Sequence, residues 1–409
     1  MRHRILLSIV CLAGALAGTA RAEGDAVTLD EAAFIAALER ADPRAPLIAA
    51  TIARGDADVL AAGVRPNPEL QLEREQALAP DRAATSYARV AVPVDLAGRR
   101  PRRIAVARAE VDALRAEADR AHVVRTIDGL RAFNHAAYAA RVLALLQAER
   151  EPLVRAVEVV RRRGAAGAGS GYDVQRIELE LAAYDDQVAS AEVEVAAARS
   201  RLGALIGVAA VEAMSDLALP AAPAAIDGLA AGAVEARGDY RAAAARRTAA
   251  DAWAGLAARG SIPDLGIAVG VMANDGAGGA AIGATLGLAL SLPTFDRGQG
   301  VAAQARAARA VAAAEQQWLA ATVPSQIAIA RDAVVRRRAQ AERLAGDQLA
   351  RLEPLLRAAE TGYREGEAGI VELLDAYRTA RAVRLRDLEL RRDARLAELD
   401  LWLALGRRP

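Results

Sequence analysis

The chain contains an internal duplication with a period of about 200 residues. Residues 151–158 (EPLVRAVE) return as residues 353–360 (EPLLRAAE), with six of the eight positions identical. The dipeptides Val92-Pro93 and Leu292-Pro293 recur 200 residues apart. A period of this length is too long for a solenoid unit and indicates a duplicated half-protein. Residues 23–207 and 208–409 are therefore predicted to be two copies of one structural unit.

An export signal is predicted at residues 1–22. Basic Arg2 and Arg4 precede an apolar stretch of about 13 residues, and residues 20–22 (ARA) match the small-x-small pattern read by signal peptidase. A membrane-spanning helix needs about 20 apolar residues, so cleavage near Glu23 is expected. Cys11 is the only cysteine, and bulky Val10 before it argues against lipidation. The mature chain is expected to contain no disulfide.

The composition favours long, alanine-rich helices. Acidic and basic residues are nearly balanced at 52 and 53, every basic residue is arginine, and aromatic residues make up 3%. Nucleic-acid binding needs a basic excess on one face, so no nucleic-acid partner is expected. Charge-laced helices poor in aromatic residues are typical of bundles and coiled coils. His122 and His135 lie thirteen residues apart and fall on different faces of one helix, which argues against a metal site.

Each half is predicted to contain a pair of strands, at about 68–76 and 86–94 and at about 263–273 and 281–293. Apolar residues alternate there with Gly, Ala, Glu or Arg, which gives each strand one apolar face. Strands of about ten residues with a lipid-facing apolar row fit a transmembrane β-barrel better than a soluble ribbon. Tyr87 is the one obvious candidate for an aromatic girdle.

Four strands cannot close a barrel, and an open sheet edge is not tolerated in lipid. Several chains must therefore share one barrel, and three copies would give twelve strands. A helix at about 30–62 or 229–259 is expected to open each half. After each strand pair, a helix of about 65 residues, at 99–163 or 299–364, would extend about 100 Å. Each would return through a helix at 172–205 or 370–405.

The fold class expected is mostly α with a small β part. Long antiparallel helical hairpins would form a trimeric α-barrel, and each chain would contribute four strands to a shared 12-stranded transmembrane β-barrel. Pro152, Pro324 and Pro354 are expected to bend or locally break the long helices.

The turns of the two hairpins are the candidate functional sites, with tips at about 164–172 and 364–370. Ser170 lies three residues before Asp173, a spacing typical of a capping box, while Gly369 and Glu372 occupy the same positions in the second half. Such a motif is either a plain helical turn or a docking tip for a partner. Glycines and acidic residues of these turns are the candidate docking or gating residues: Gly164, Gly167, Ser170, Asp173, Gly366, Gly369, Glu372 and Asp375.

Chemistry-bearing motifs are missing from the sequence. It contains no His-Glu-x-x-His, no nucleophile elbow and no metal-spaced His/Cys set, so neither an enzyme nor a cofactor is expected. The glycines at 167, 169 and 171 follow a helix and precede no lysine, which argues against a phosphate loop.

Two strand-to-helix junctions resemble those of the TolC-like outer-membrane factor family, and its heavy-metal Czc-type branch in particular. Residues 93–100 (PVDLAGRR) stand where that branch has Pro-x-Glu-Leu-Gly-Gly-Lys-Arg, and residues 294–300 (TFDRGQG) where it has Leu-Phe-Asp-Arg-Asn-Gln-Gly. Asp95, Ala97 and Gly298 depart from the pattern. The resemblance covers nearly the whole mature chain.

The resemblance implies a homotrimer in the outer membrane with a helical tunnel in the periplasm. It also implies docking to a periplasmic adaptor, or membrane fusion protein, and to an inner-membrane RND-type pump that exports heavy-metal cations. Two alternatives stay open: a multidrug or type I secretion duct of the same family, and a periplasmic coiled-coil scaffold or adaptor that lacks membrane strands.

Overall fold

The computed structural model describes residues 26–78, 84–167, 169–225, 228, 232–276 and 279–409. The predicted export signal at 1–22 lies outside these residues.

Most of the described chain is helical. The first half comprises β1 (Val27–Leu29), α1 (Glu31–Arg40), α2 (Ala45–Gly63), β2 (Glu69–Gln76), β3 (Ala84–Val94), α3 (Arg99–Ala165), α4 (Gly171–Ile206) and β4 (Val211–Ala213). The second half comprises α5 (Ala233–Ala236), α6 (Gly238–Ala257), β5 (Leu265–Gly276), β6 (Gly279–Leu290), α7 (Gln299–Leu344), a π-helical turn (Ala345–Leu349), α8 (Ala350–Glu365) and α9 (Ile370–Leu405). The 67 residues of α3 correspond to about 100 Å, so each half is dominated by one long helical hairpin.

The helix predicted at 30–62 is two helices, and the prediction of one was wrong. Helix α1 ends at Arg40 and α2 begins at Ala45. Pro43 lies between them, where a continuing helix would clash with its ring and lack its N–H. The Asp42 carboxylate accepts a hydrogen bond from the Arg44 N–H at 2.9 Å and stabilises the turn.

Prolines do not break the long helices where a break was predicted. Helix α3 runs through Pro152 and α7 runs through Pro324. One missing hydrogen bond is tolerated where neighbouring helices hold the backbone in place. Only ahead of Pro354 does the geometry change, because the π-helical turn at Ala345–Leu349 lies just before α8.

Four strands form one antiparallel sheet in the order β2-β3-β5-β6. Strands β3 and β5 pair through eleven residues, which joins the two halves of the duplication in one sheet. Strands β2 and β6 are its two edges. Helices α2, α3, α6 and α7 follow or precede these strands, and α2 packs on α3, α3 on α6 and α6 on α7.

One face of the sheet is apolar and open. The register places Val90 opposite Leu70 and Val269, and places Leu286 opposite Val269 on the next strand. Leu70, Leu72, Ile282, Leu286 and Leu288 are each between 67% and 84% exposed. Small and polar residues, including Glu73, Arg89, Gly266 and Gly287, occupy the other face.

Tyr87 does not belong to the apolar face, so its interpretation as a girdle residue was wrong. It pairs with Glu73 and Met272, and the Arg89 guanidinium lies 4.2 Å from the centre of its ring. Strand residues alternate between faces, and Tyr87 has the parity of Arg89 rather than that of Val90.

A small parallel pair, β1 with β4, lies beside the hairpins and was absent from the sequence-based prediction. It covers a core in which the rings of Phe34 and Phe133 lie 5.3 Å apart. A Cβ on Gly129 would lie 2.4 Å from a Leu38 methyl group, so this glycine permits α1 to approach α3 closely. Among the described helices, none is both long and apolar enough to cross a membrane.

Candidate functional site

The first hairpin tip is a glycine-rich turn closed by a capping box. Gly167 has φ +72°, a conformation that favours glycine. The Asp173 N–H donates to Ser170 Oγ at 3.2 Å, and the Ser170 N–H donates to the Asp173 carboxylate at 3.4 Å. A Cβ on Gly164 would lie 3.1 Å from a Val174 methyl group, so α3 and α4 approach each other closely at this turn. The first tip is therefore fixed by its own side chains.

The second tip is closed by the backbone instead. Gly366 has φ +83°, and the carbonyl of Gly362 accepts hydrogen bonds from Glu367 and Ala368 at 2.9 and 3.1 Å. Gly369 caps α9 without a side chain. A Cβ there would lie 2.8 Å from the Glu372 carboxylate, which therefore curls back over the N-terminus of α9. A carboxylate at this position is stabilised by the helix dipole.

Arg163 and Tyr363 join the two tips, and both were missed as site residues. Arg163 donates a hydrogen bond to the Tyr363 carbonyl, and its guanidinium lies 4.9 Å from the centre of the Tyr363 ring. A Cβ on Gly366 would lie 3.4 Å from the same guanidinium. Burial, together with the charge of Asp173, raises the pKa of Tyr363. Asp173 and Gly366 therefore meet around the Arg163–Tyr363 contact.

Three consecutive arginines, residues 161–163, lie near the end of α3. Arg161 donates to Glu178 at 2.7 Å, and Arg162 lies 3.4 Å from Glu158 with its side chain 80% exposed. Arg163 alone reaches the other hairpin. Tyr363 lies in the segment GYRE at residues 362–365. No charge pattern in this segment predicts that Arg163 is its partner.

The candidate residues Glu372 and Asp375, and the neighbouring acidic Glu365 and Glu367, are exposed on α9 and the second turn. No contact in the described residues gathers them into one cluster. Gly167 and Gly369 shape the backbone and contribute no side chain. The eight candidate residues therefore belong to two separate turns. Arg163 and Tyr363, which are not among the eight, join these turns within one chain.

A charged network behind the tips ties the hairpins together. Arg378 of α9 forms a two-nitrogen contact with Glu180 of α4, with its Nε at 3.1 Å, and Arg384 reaches Glu149 of α3 at 2.5 Å. The hydrogen bond from Arg378 lowers the pKa of Glu180. These side chains border a cavity of about 190 Å³ between α3, α4, α8 and α9. The network opposes separation of one hairpin from the other.

Tyrosines from both hairpins support the network. Tyr184 donates to the carbonyl of Leu146 at 3.2 Å, and burial raises its pKa. Tyr377 donates to Glu360 at 2.7 Å, and burial again raises the pKa. Both hydroxyls therefore stay protonated donors at neutral pH.

The side chains described at the two turns can hold, dock or separate helices. Within the described residues, no three side chains of the metal-ligating types lie close enough together to hold a metal ion. Among the exposed surfaces of the described residues are the two turns and the apolar face of the sheet.

Comparison with known proteins gives these features a context. Residues 230–407 match the family model described as outer membrane efflux protein. The chain is 29% identical, over 81% of its length and 78% of the relative, to the cobalt-zinc-cadmium resistance protein CzcC of Cupriavidus metallidurans.

Solved structures share the fold over almost the whole chain. The outer membrane protein VceC of Vibrio cholerae matches 92% of this chain and 96% of its own, with a TM-score of 0.75 and 18% identity. The outer-membrane channel OprN matches 92% of this chain and 90% of its own, with a TM-score of 0.74 and 20% identity. The resemblance to a family of outer-membrane factors, inferred from the two junction motifs, is confirmed.

Proposed function

Because residues 230–407 match the outer membrane efflux protein family and most of the chain is similar to a protein of cobalt-zinc-cadmium resistance, we propose that the chain is the outer-membrane channel of a tripartite efflux system for heavy-metal cations. In this role it conducts passively. An inner-membrane RND-type pump supplies the energy, a periplasmic adaptor holds the pump to the helical tips, and the barrel releases the cargo outside.

The observation that carries this proposal is the open apolar face of the four-stranded sheet. Leu286 and Leu288 are 73% and 71% exposed, and no described element covers them. Strands β5 and β6 each contain twelve residues, about 40 Å, which is enough to cross the hydrocarbon core with the usual tilt. A scaffold confined to the aqueous periplasm would leave this apolar face exposed to water.

The two sheet edges support a trimer. Among the described strands of one chain, β2 and β6 each pair on one side only. Unpaired backbone groups cost several kcal/mol each in lipid, so β6 of one protomer must pair with β2 of the next. Three copies close twelve strands, and the flanking helices α2 and α7 then meet across the same boundary.

The proposal of a heavy-metal cargo rests on similarity to known proteins. The relative from Cupriavidus metallidurans is a cobalt-zinc-cadmium resistance protein, and both junction motifs resemble the Czc-type branch. A water-filled duct need not bind its cargo, so cargo is decided by the pump and adaptor that dock to it. The two tips, with Ser170, Asp173, Gly366 and Glu372, are the proposed docking surface.

Membrane fractionation and conductance test the channel. Membranes are washed with carbonate and urea, and purified protein is reconstituted in planar bilayers. We expect the protein to stay in the membrane pellet and to give discrete conductance steps as a trimer. Extraction into the wash would instead support a periplasmic scaffold, and a trimer that never conducts would exclude a duct.

Deletion of the gene tests the cargo. The deletion strain is compared with wild type for growth in zinc, cobalt, cadmium, copper and several hydrophobic drugs. Lower tolerance to the metals alone, restored by the gene in trans, is expected. Lower tolerance to drugs alone would assign the channel to multidrug efflux.

A further inference from the structure

A cavity lies where the sheet meets the helices. It has a volume of about 430 Å³, opens to the surface, and is lined by the segment that leads into α3, the first turns of α3, and the end of α6 with Arg259 just beyond it. Arg102 and Arg259 supply its charge, while Leu96, Pro101 and Ala252 supply an apolar wall. Leu96 follows the last residue of β3 by two positions, so the cavity lies close to the end of the sheet.

The two arginines of this cavity lack partners. Their side chains form no hydrogen bond or ion pair within the described part of the chain, although both are partly buried. Their neighbour Arg99, in contrast, pairs with Asp264 and donates to the carbonyl of Ile262 at 2.6 Å. A partly buried guanidinium without an anion loses hydration and gains no compensating contact.

The packing holds Arg102 against helix α6. A Cβ on Gly255 would lie 2.7 Å from Arg102 Nη1, so the guanidinium occupies space that a side chain would fill. Arginine presents its N–H groups in a planar fork that matches the oxygens of a phosphate. Two such forks in one cavity suit a single phosphate group.

The surrounding segments are strongly basic. The carboxylate of Asp95 is already occupied by the N–H groups of Arg99 and Arg100, at 3.0 and 2.9 Å, and these bonds lower its pKa. The junction segments carry three aspartates, Asp95, Asp264 and Asp296, against seven arginines, Arg65, Arg99, Arg100, Arg102, Arg103, Arg259 and Arg297. The excess positive charge at this level of the molecule complements an anionic surface.

The level of the cavity matches a lipid headgroup layer. Arg102 lies four residues beyond Gly98, the N-cap of α3, which is about 6 Å along the helix. A bilayer has a headgroup layer of about 5–8 Å on each side of its hydrocarbon core. If the apolar strands cross the core, Arg102 and Arg259 stand among the phosphates of the periplasmic leaflet.

We propose that Arg102 and Arg259 bind the phosphate of an anionic phospholipid, one per protomer, with its acyl chains along the apolar sheet face beside Leu96. This proposal rests on the proposed insertion of the sheet in the membrane. The bound lipid neutralises the two arginines and fixes the junction between barrel and helices. A free phosphate would satisfy the same charges, but it would leave the apolar wall beside Leu96 uncovered.

Native mass spectrometry of the delipidated trimer tests the proposal. The protein in detergent is titrated with phosphatidylglycerol, with diacylglycerol, which lacks the phosphate, or with inorganic phosphate. We expect up to three phosphatidylglycerol molecules per trimer, with little binding of diacylglycerol or phosphate. The double variant Arg102→Gln/Arg259→Gln should bind phosphatidylglycerol at least about tenfold more weakly, because both charge-assisted contacts are lost.

A matched control uses two other arginines. Arg343 and Arg351 are exposed residues of α7 and α8, so Arg343→Gln/Arg351→Gln changes the net charge equally and should bind lipid like wild type. Equal phosphatidylglycerol binding by the Arg102/Arg259 variant would overturn the proposal. So would binding of diacylglycerol or inorganic phosphate as tight as that of phosphatidylglycerol. The proposed channel would survive either result, because the fractionation and conductance experiments test it separately.

Discussion

Ser170 and Gly369 occupy equivalent positions at the two tips but cap their helices differently. Ser170 accepts a hydrogen bond from the N–H of Asp173, whereas Gly369 has no side chain to offer. Replacing a serine N-cap by alanine costs about 1 kcal/mol. The two tips therefore respond differently to the loss of a single hydroxyl.

Ser170→Ala is expected to loosen the first turn of α4 by about 1 kcal/mol. Hydrogen exchange should accelerate about fivefold at the amides of residues 172–174 and stay unchanged at 371–373. Ser170→Thr, which keeps the hydroxyl, is the control and should exchange like wild type. Equal exchange in Ser170→Ala and wild type would show that the capping box does not stabilise this tip.

At the scale of single residues, contacts between neighbours in the sequence could be predicted, whereas contacts between distant residues could not. The spacing of Ser170 and Asp173 in the sequence predicts the capping box that the structure contains. The contact of Arg163 with Tyr363 joins residues 200 positions apart. The duplication could have suggested that equivalent hairpins pack together, but no periodicity specifies which arginine reaches which carbonyl.

At the scale of elements, the strands show which structures the alternation of apolar residues can predict. Period-two alternation predicted β2, β3, β5 and β6, because one apolar face leaves a strong signature. The three-residue strands β1 and β4 were missed, since three residues carry no measurable period and their parallel pairing joins distant segments. Pro43 marks the division of the first helix, because a proline lacks the N–H that a helix interior needs.

A charge on the apolar sheet face should impair assembly. Leu286→Arg is expected to cost about 2–4 kcal/mol near the bilayer midplane and to reduce the amount of trimer in the outer membrane several-fold. Gly287→Arg places the same side chain one residue away on the opposite face, where the nearest side-chain atom to a Cβ would be Ala268 Cβ at 3.6 Å. It should assemble normally. Quantitative blotting of washed membranes measures both, and equal amounts would contradict a lipid-facing Leu286.

The Glu180–Arg378 contact makes the packing of the hairpins sensitive to acid. Its hydrogen bond lowers the pKa of Glu180, so the carboxylate stabilises the folded hairpins above the ordinary glutamate value of about 4.3. That stabilisation is lost as pH falls through the lowered folded value. Glu180→Gln should therefore lower the melting temperature of the trimer at pH 7 and reduce its further fall below about pH 4.

Glu178→Gln is the matched control for this acid response. Glu178 pairs with Arg161 of the same hairpin, and its loss should leave the contact between hairpins intact. Melting curves from pH 7 to pH 3 distinguish the variants. An unchanged acid response in Glu180→Gln would assign that response to other carboxylates.

At the scale of the whole molecule, the duplication yields two unequal hairpins. A trimer would present six tips of alternating structure, since the first closes through side chains and the second through backbone. The first turn is longer and richer in glycine, so it is expected to be the more mobile, and cysteine cross-linking across Ala168 and Ala368 would test this. Ala168 lies outside the described residues, so the Arg163–Tyr363 contact offers a better defined test.

Arg163→Ala should favour the open channel. The variant loses the hydrogen bond to the Tyr363 carbonyl and the stacking on its ring, which together hold the tips of one chain to each other. Each contact of this kind contributes about 1–2 kcal/mol, so the open probability should rise about tenfold or more. Single-channel recording of the reconstituted trimer at neutral pH measures the change.

Arg162→Ala separates this effect from a general loss of charge at the tip. Within the described residues, the side chain of Arg162 pairs with Glu158 of its own helix at 3.4 Å, and an exposed pair of this type contributes little to stability. Its removal changes the charge of the tip equally but leaves both hairpins joined, so its open probability should match wild type. If both variants open alike, tip charge rather than the bridge controls the channel. If neither opens, the closed state is held by contacts between chains, and the charged residues on α9 become the next ones to replace.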